Sequence, residues 1–211
     1  MLNNFLTLIK RTLDARSQDL FRHSCRVGEL AREIVVVSPL DLGLSPREAY
    51  IAGLLHDIGK ISIPDAILHK PGPLIKEEWT VMKLHPRLGS EFVRGTPFER
   101  YEMIICRHHE LPDGTGYQGV TLDELPLDVR LIAVVDKVVA MMEDRPYRRK
   151  VEDPQEIMEI GRTQVKRFFL GELGLEIGAV FEEVLPHYVT HGFYLNKEVL
   201  RGGRLCLDFA Y

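Results

Sequence analysis

Cysteine is scarce in this chain and never closely paired: Cys25, Cys106 and Cys206 stand far apart, with no CxxC spacing. An odd, sparse set argues against a disulfide framework and fits a reducing compartment, so a cytoplasmic location is expected. Long apolar runs are missing too. Stretches such as Leu131 to Val135 fall far short of the roughly 20 residues that span a bilayer, so no membrane partner is expected. The N-terminal MLNNFLTLIKRTLDAR lacks a basic start and a small-residue cleavage site, so it reads as part of the fold and not as a leader peptide. Neither charge sign dominates: 27 Lys and Arg stand against 31 Asp and Glu, for a net charge of −4. That balance leaves no broad basic field for duplex nucleic acid, while a local positive site for a small anion stays open. Internal repeats and low-complexity tracts are also absent. What is present is 211 residues, 45% of them hydrophobic, enough for one packed core.

Helical signals dominate the pattern. Leu2, Leu6, Ile9 and Leu13 form an amphipathic stripe, which can pack on the chain's own core or join two copies as a homodimer. A second helix is expected over about 18–36. Ser45-Pro46-Arg47-Glu48 is a capping box with proline at the first helical position, and Gly59 is placed to end the helix it starts. A helix from Lys76 to about Gly95 should kink or restart at Pro86. Thr96-Pro97-Phe98-Glu99 repeats the capping pattern and should open a helix toward His109. Residues 127–143 are apolar on nearly every face, which predicts a buried central helix. Residues 153–170 and 174–185 also read as helical. The expected architecture is a compact all-α bundle: an N-terminal amphipathic helix over 1–17, a main body over 18–185, and a tail over 186–211, packed on the same body, that includes short strands if the residues past His191 pair.

Polar residues fall on the inward faces of these helices. His23 lies between Leu20 and Val27. His56 continues the line of Ala49, Ala52 and Gly53, with Asp57 next to it. His85 follows Trp79 and Met82, His108 follows Tyr101 and Ile105, and His109 is adjacent. Asp136 sits among Ile132, Ala133, Val139 and Ala140. A single inward histidine is usually a hydrogen-bonded core residue, but an ionised carboxylate is costly to bury without a partner. Five inward stretches carrying such groups are better explained by one shared partner. Neutral imidazole with carboxylate suits divalent metals. Seven ligands exceed the needs of one ion and suit two ions bridged by a carboxylate. The absence of thiolate disfavours structural zinc and favours iron or manganese.

The quoted residues resemble a known family. "HDIGK" (56–60) is similar to the signature of the HD superfamily of metal-dependent phosphohydrolases. The ordered set "HSCRV" (23–27), "LLHDIGKISIPDAILHKPGPL" (54–74), "KLHPRLG" (83–89), "HHELPDGTGYQG" (108–119), "VVDKVVAM" (134–141) and "RPYR" (145–148) resembles its HD-GYP branch, the cyclic di-GMP phosphodiesterases. The resemblance implies that His23, His56, Asp57, His85, His108, His109 and Asp136 hold two metals, with Asp57 bridging. Asp19, one turn before His23, stands where some members hold a third ion through a glutamate. Lys60 matches a lysine near the scissile phosphate, and Arg145 and Arg148 match positions that hold substrate phosphates. Two departures stand out. Gly-Tyr-Pro reads Gly116-Tyr117-Gln118, and the second acid of the helical D-x-x-D pattern is Val139.

The implied reaction is hydrolysis of cyclic di-GMP to linear pGpG or GMP. Two metals roughly 3.5–4 Å apart clamp a phosphodiester and generate a bridging hydroxide, so no serine or cysteine nucleophile is required. Two alternatives remain: an HD phosphohydrolase for another nucleotide, and a non-catalytic module that binds a nucleotide or a protein. Gly114 and Gly116 let the loop turn near a ligand. Tyr117 either stacks on a base or anchors the loop. Glu110 is expected to be a structural partner and not a ligand. Gly116, Tyr117 and Gln118 are thus candidate substrate-binding residues. If the Gln118 N–H is free and its φ already suits proline, Gln118→Pro should stiffen the loop and tighten cyclic di-GMP binding, whereas if Gln118 bonds a base edge the proline variant should bind its substrate worse.

Overall fold

A computed structural model of the chain describes residues 2–144 and 150–192. Among them there are ten α-helices and no strands, only an isolated bridge between Asp113 and Thr121. The helices are α1 (Leu2–Arg16), α2 (Gln18–Val37), α3 (Pro46–Leu55), α4 (Asp65–Leu68), α5 (Lys76–Met82), α6 (His85–Val93), α7 (Glu102–Arg107), α8 (Leu127–Met141), α9 (Pro154–Phe168) and α10 (Gly171–His191). The all-α class expected from the periodicity is what the chain adopts. The RPYR run with Arg145 and Arg148, and the tail past Gly192, lie outside the described residues. No described helix is long and apolar enough to cross a membrane.

The stripe of α1 is turned inward. Leu6, Ile9 and Leu13 are buried in the main core, while Phe5 and Leu8 face out. Each such burial contributes about 1.5–3 kcal/mol. The buried part of the stripe packs against the chain's own α2, with Phe5 and Leu8 exposed on the same helix. Helix α2 starts on Ser17, whose side chain accepts the Leu20 N–H, and α3 starts on the expected Ser45–Glu48 capping box.

The α2–α3 crossing is what brings His23 toward His56. It is tight because both helices carry glycine at the contact. A Cβ on Gly53 would lie 2.4 Å from the Gly28 nitrogen, and one on Gly28 would lie 2.7 Å from the Tyr50 carbonyl oxygen. Helix α8 then fills the centre: Leu131, Ile132, Val134, Val135, Val138 and Val139 are fully buried. Val139, the position lacking the second acid, is core.

Three local expectations are corrected. Gly59 does not stop α3, which ends at Leu55. It lies in a 3₁₀ turn over Ile58–Ser62, and a Cβ there would lie 2.0 Å from the His85 carbonyl oxygen. Glycine is needed for that approach to α6, which holds Asp57 near His85. Thr96 does not cap a helix. Its hydroxyl donates to the Val93 carbonyl and accepts the Phe98 N–H, closing a turn before the short 3₁₀ segment Glu99–Tyr101 that leads into α7. Helix α10 runs past 185 to His191, with Pro186 inside it. The restart at Pro86 is as expected: α5 ends at Met82 and α6 takes proline in its first turn.

Candidate metal centre and substrate cleft

Seven inward residues converge in the middle of the bundle. Asp57, His85, His108 and His109 offer ligand atoms within 4.8 Å of one another, and so do His23, His56 and Asp136. They arrive from α2, the turn after α3, α6, the end of α7, and α8. Asp57 lies between the two groups. Its Oδ1 faces His85 Nε2 at 3.1 Å and His108 Nε2 at 3.7 Å. Its Oδ2 faces His56 Nε2 at 3.3 Å and His23 Nε2 at 3.8 Å. Lys60 Nζ donates to the same Oδ2 at 2.5 Å.

The imidazoles are oriented by the backbone. His56 Nδ1 pairs with the Gly53 carbonyl at 2.6 Å, His85 Nδ1 with Met82 at 2.8 Å, and His108 Nδ1 with Ile105 at 2.8 Å. A carbonyl can only accept, so each Nδ1 carries the hydrogen and each Nε2 presents a lone pair. Those lone pairs meet. His85 Nε2 and His108 Nε2 are 3.3 Å apart, and His56 Nε2 and Asp57 Oδ1 are buried without a hydrogen-bond partner. Opposed lone pairs and an orphaned carboxylate oxygen are unfavourable as a packed core. They are what a cation between them would satisfy, and the donor set fits divalent metal.

The electrostatics agree. Burial pushes the Asp57 carboxyl up, but Lys60 and the surrounding histidines outweigh it and hold the group well below the usual carboxylate range. Asp136 is likewise held low against burial by His23 and His56. Burial pulls His85 down to about 4, and holds His109 well below its ordinary value, keeping both neutral. His23 is different. Burial lowers it, yet hydrogen bonds to Asp136 (Nε2–Oδ1, 2.9 Å) and Glu143 (Nδ1–Oε2, 2.8 Å) raise it to about 9.

The cluster floors a cleft of about 630 Å³, large enough for a nucleotide ligand. Lys60, Gly116, Tyr117, Trp79 and Lys137 line it. Tyr117 lies 4.8 Å from the His109 ring, and Lys83 sits over the tyrosine face at 5.2 Å. Asp19 is at the lip with its carboxylate exposed, 3.6 Å from Arg22, and belongs to neither ligand group.

The loop over 110–120 is tied to a buried acid. Glu110 accepts the Gln118 N–H and the Val120 N–H, each at 2.8 Å, so it is a structural partner as expected. Gly116 packs on that residue, its would-be Cβ 2.5 Å from Glu110 Cα. Gln118 does not line the cleft. Its amide donates to the Cys106 carbonyl at 2.5 Å. Sequence reasoning missed Glu143, Trp79 and Lys137. Glu143 stands seven residues after Asp136, a two-turn helical spacing although α8 itself ends at Met141, and that spacing is the one signal that marks it.

An HD domain family model matches residues 7–168, and the chain belongs to that family, consistent with its HD-GYP branch. It is 45% identical over 114 residues to the cyclic di-GMP phosphodiesterase response regulator RpfG of Xanthomonas campestris, covering 51% of this chain and 30% of that protein. It is 36% identical over 170 residues to the 3'3'-cGAMP-specific phosphodiesterase 1 of Vibrio cholerae, covering 75% of this chain and 37% of that protein. The chain thus spans about a third of the length of these relatives. The HD domain of the phosphodiesterase PgpH of L. monocytogenes, solved with cyclic-di-AMP, shares the fold with a TM-score of 0.62 at 15% identity, over 88% of this chain and 97% of that one.

Proposed function

We propose that this chain is a metal-dependent phosphodiesterase that hydrolyses cyclic di-GMP to pGpG or GMP. The observation that carries the proposal is Asp57, whose two oxygens face two separate groups of imidazole nitrogens. His85, His108 and His109 would hold one ion and His23, His56 and Asp136 the other, with Asp57 shared and iron or manganese preferred by the N/O donors. When bound, such a pair supplies Lewis acidity to a phosphodiester and an acidified water for attack at phosphorus.

The remaining steps belong to the chain's own residues. The carbonyl-anchored Nδ1 atoms of His56, His85 and His108 fix the ring orientation and aim their Nε2 atoms inward. Lys60 is placed to offset the negative charge of a phosphate above Asp57. Arg145 and Arg148 supply further charge-assisted contacts to the phosphates in this reading. Tyr117 and Trp79 offer flat faces for the bases.

A second reading keeps the chemistry and changes the nucleotide. It is favoured by Gln118, which replaces the loop proline, and by the relative named for 3'3'-cGAMP. A non-catalytic module is opposed by the complete ligand set and Lys60. Iron- or manganese-loaded protein, assayed with cyclic di-GMP, 3'3'-cGAMP, cyclic di-AMP, pGpG and a simple phosphate ester, separates the three. The proposal expects fastest turnover of cyclic di-GMP. Preference for another dinucleotide supports the second reading, and no turnover of any member, with binding intact, supports the third.

A further inference from the structure

Among the four histidines of the cluster whose Nδ1 partner is seen, His23 is the exception. His56, His85 and His108 each give Nδ1–H to a neutral backbone carbonyl three residues earlier. His23 Nδ1 instead meets a carboxylate, Glu143 Oε2, at 2.8 Å. Glu143 is itself held. Its other oxygen accepts from Arg26 Nη1 at 2.7 Å, and the side chain is nearly buried. Arg26 and His23 lie three apart on α2, so one helical turn presents both partners to one acid.

We propose that Glu143 is a positioning residue for His23, acting selectively on the His23, His56 and Asp136 half of the centre. The proposal rests on the reading of the seven-residue cluster as a two-metal site. A carboxylate behind an imidazole fixes the ring and raises the electron density at the opposite nitrogen more than a carbonyl does. Nε2 of His23 is that opposite nitrogen, and it points at Asp136 Oδ1. The other half of the cluster, around His85 and His108, has no such support. The two positions therefore differ in donor strength although both are built from histidine and aspartate. Removing a partner of this kind costs roughly 10–100-fold in metal affinity.

The test is manganese(II) binding to the full chain, read by loss of the free-ion electron paramagnetic resonance signal and fitted to two constants. Glu143→Gln keeps the size and one acceptor oxygen but removes the charge and the second acceptor. It should weaken one constant by roughly 10–100-fold, leave the other as in the parent, and change the bound-ion spectrum of that position alone. Arg26→Ala, which loosens Glu143 and leaves its charge, should weaken the same constant by less. Thermal unfolding of the metal-free proteins checks that neither change acts by unfolding. Both constants unchanged in Glu143→Gln, or both weakened equally, would overturn the assignment and leave the two-metal reading standing. If Glu143→Gln fails to fold, Arg26→Ala carries the test by the same criterion. No manganese binding by the unsubstituted chain would overturn both.

Discussion

At Gln118 the structure reverses the expected outcome of a substitution. The condition for a stabilising proline was an unpaired N–H, and that N–H is bonded to the buried Glu110. Gln118→Pro deletes it and leaves a buried carboxylate short of a donor, a loss of about 1.5–3 kcal/mol. The variant should therefore lower stability in urea and weaken cyclic di-GMP binding. Tighter binding would restore the stiffening argument. Asp57 and Lys60 are expected to separate. Asp57→Ala removes the atom pair that joins the two ligand groups, so elemental analysis should find metal lost and turnover abolished. Lys60→Ala should keep the metal and lose most of the rate, and parental turnover would refute its role. His23 gives a pH prediction. With its Nε2–Asp136 bond it holds a proton up to about pH 9. A metal that takes Nε2 must release that proton, so binding at pH 7 should liberate about one proton per chain from this residue, falling away above pH 9. Calorimetry in buffers of different ionisation enthalpy measures it, and buffer-independent heats would count against His23 as a ligand.

Helices carried most of what was legible. The seven converging side chains could be read because polar residues on the apolar faces of α2, α3, α6, α7 and α8 stand out against their neighbours. Glu143 escaped because it falls just beyond the last turn of α8, beside a charged run, where an acid reads as solvated. Gly59 was misassigned because a glycine that ends a helix and one that admits another backbone look alike in sequence, and only the His85 carbonyl distinguishes them. Pro186 reads as a terminator, yet α10 continues through it with Phe181, Val184, Leu185 and Tyr188 buried in the core. The α2–α3 crossing has its own consequence. Gly53→Ala would place a methyl 2.4 Å from backbone, where no side chain can yield. It should destabilise the protein by more than the 1–3 kcal/mol typical of overpacking and weaken metal binding, by separating His23 from His56. Leu13→Ala on α1, which carries none of the seven ligands, should cost about 2–5 kcal/mol and leave metal affinity intact. Denaturant unfolding with parallel metal titration tests both. Equal metal affinity in the two variants would contradict the link between crossing and site.

For the whole molecule, the bundle places opposed lone pairs and buried carboxylates at its centre, an arrangement that is unfavourable unless cations occupy it. Fold and centre are therefore one claim. The most direct measurement is the transition-metal content of the chain purified without chelator, taken on the same sample as turnover of cyclic di-GMP before and after chelation. The account predicts about two equivalents per chain, activity lost on chelation, and recovery with iron or manganese. Metal that stays well below one equivalent after reconstitution with either ion, in a sample that is folded, would contradict it.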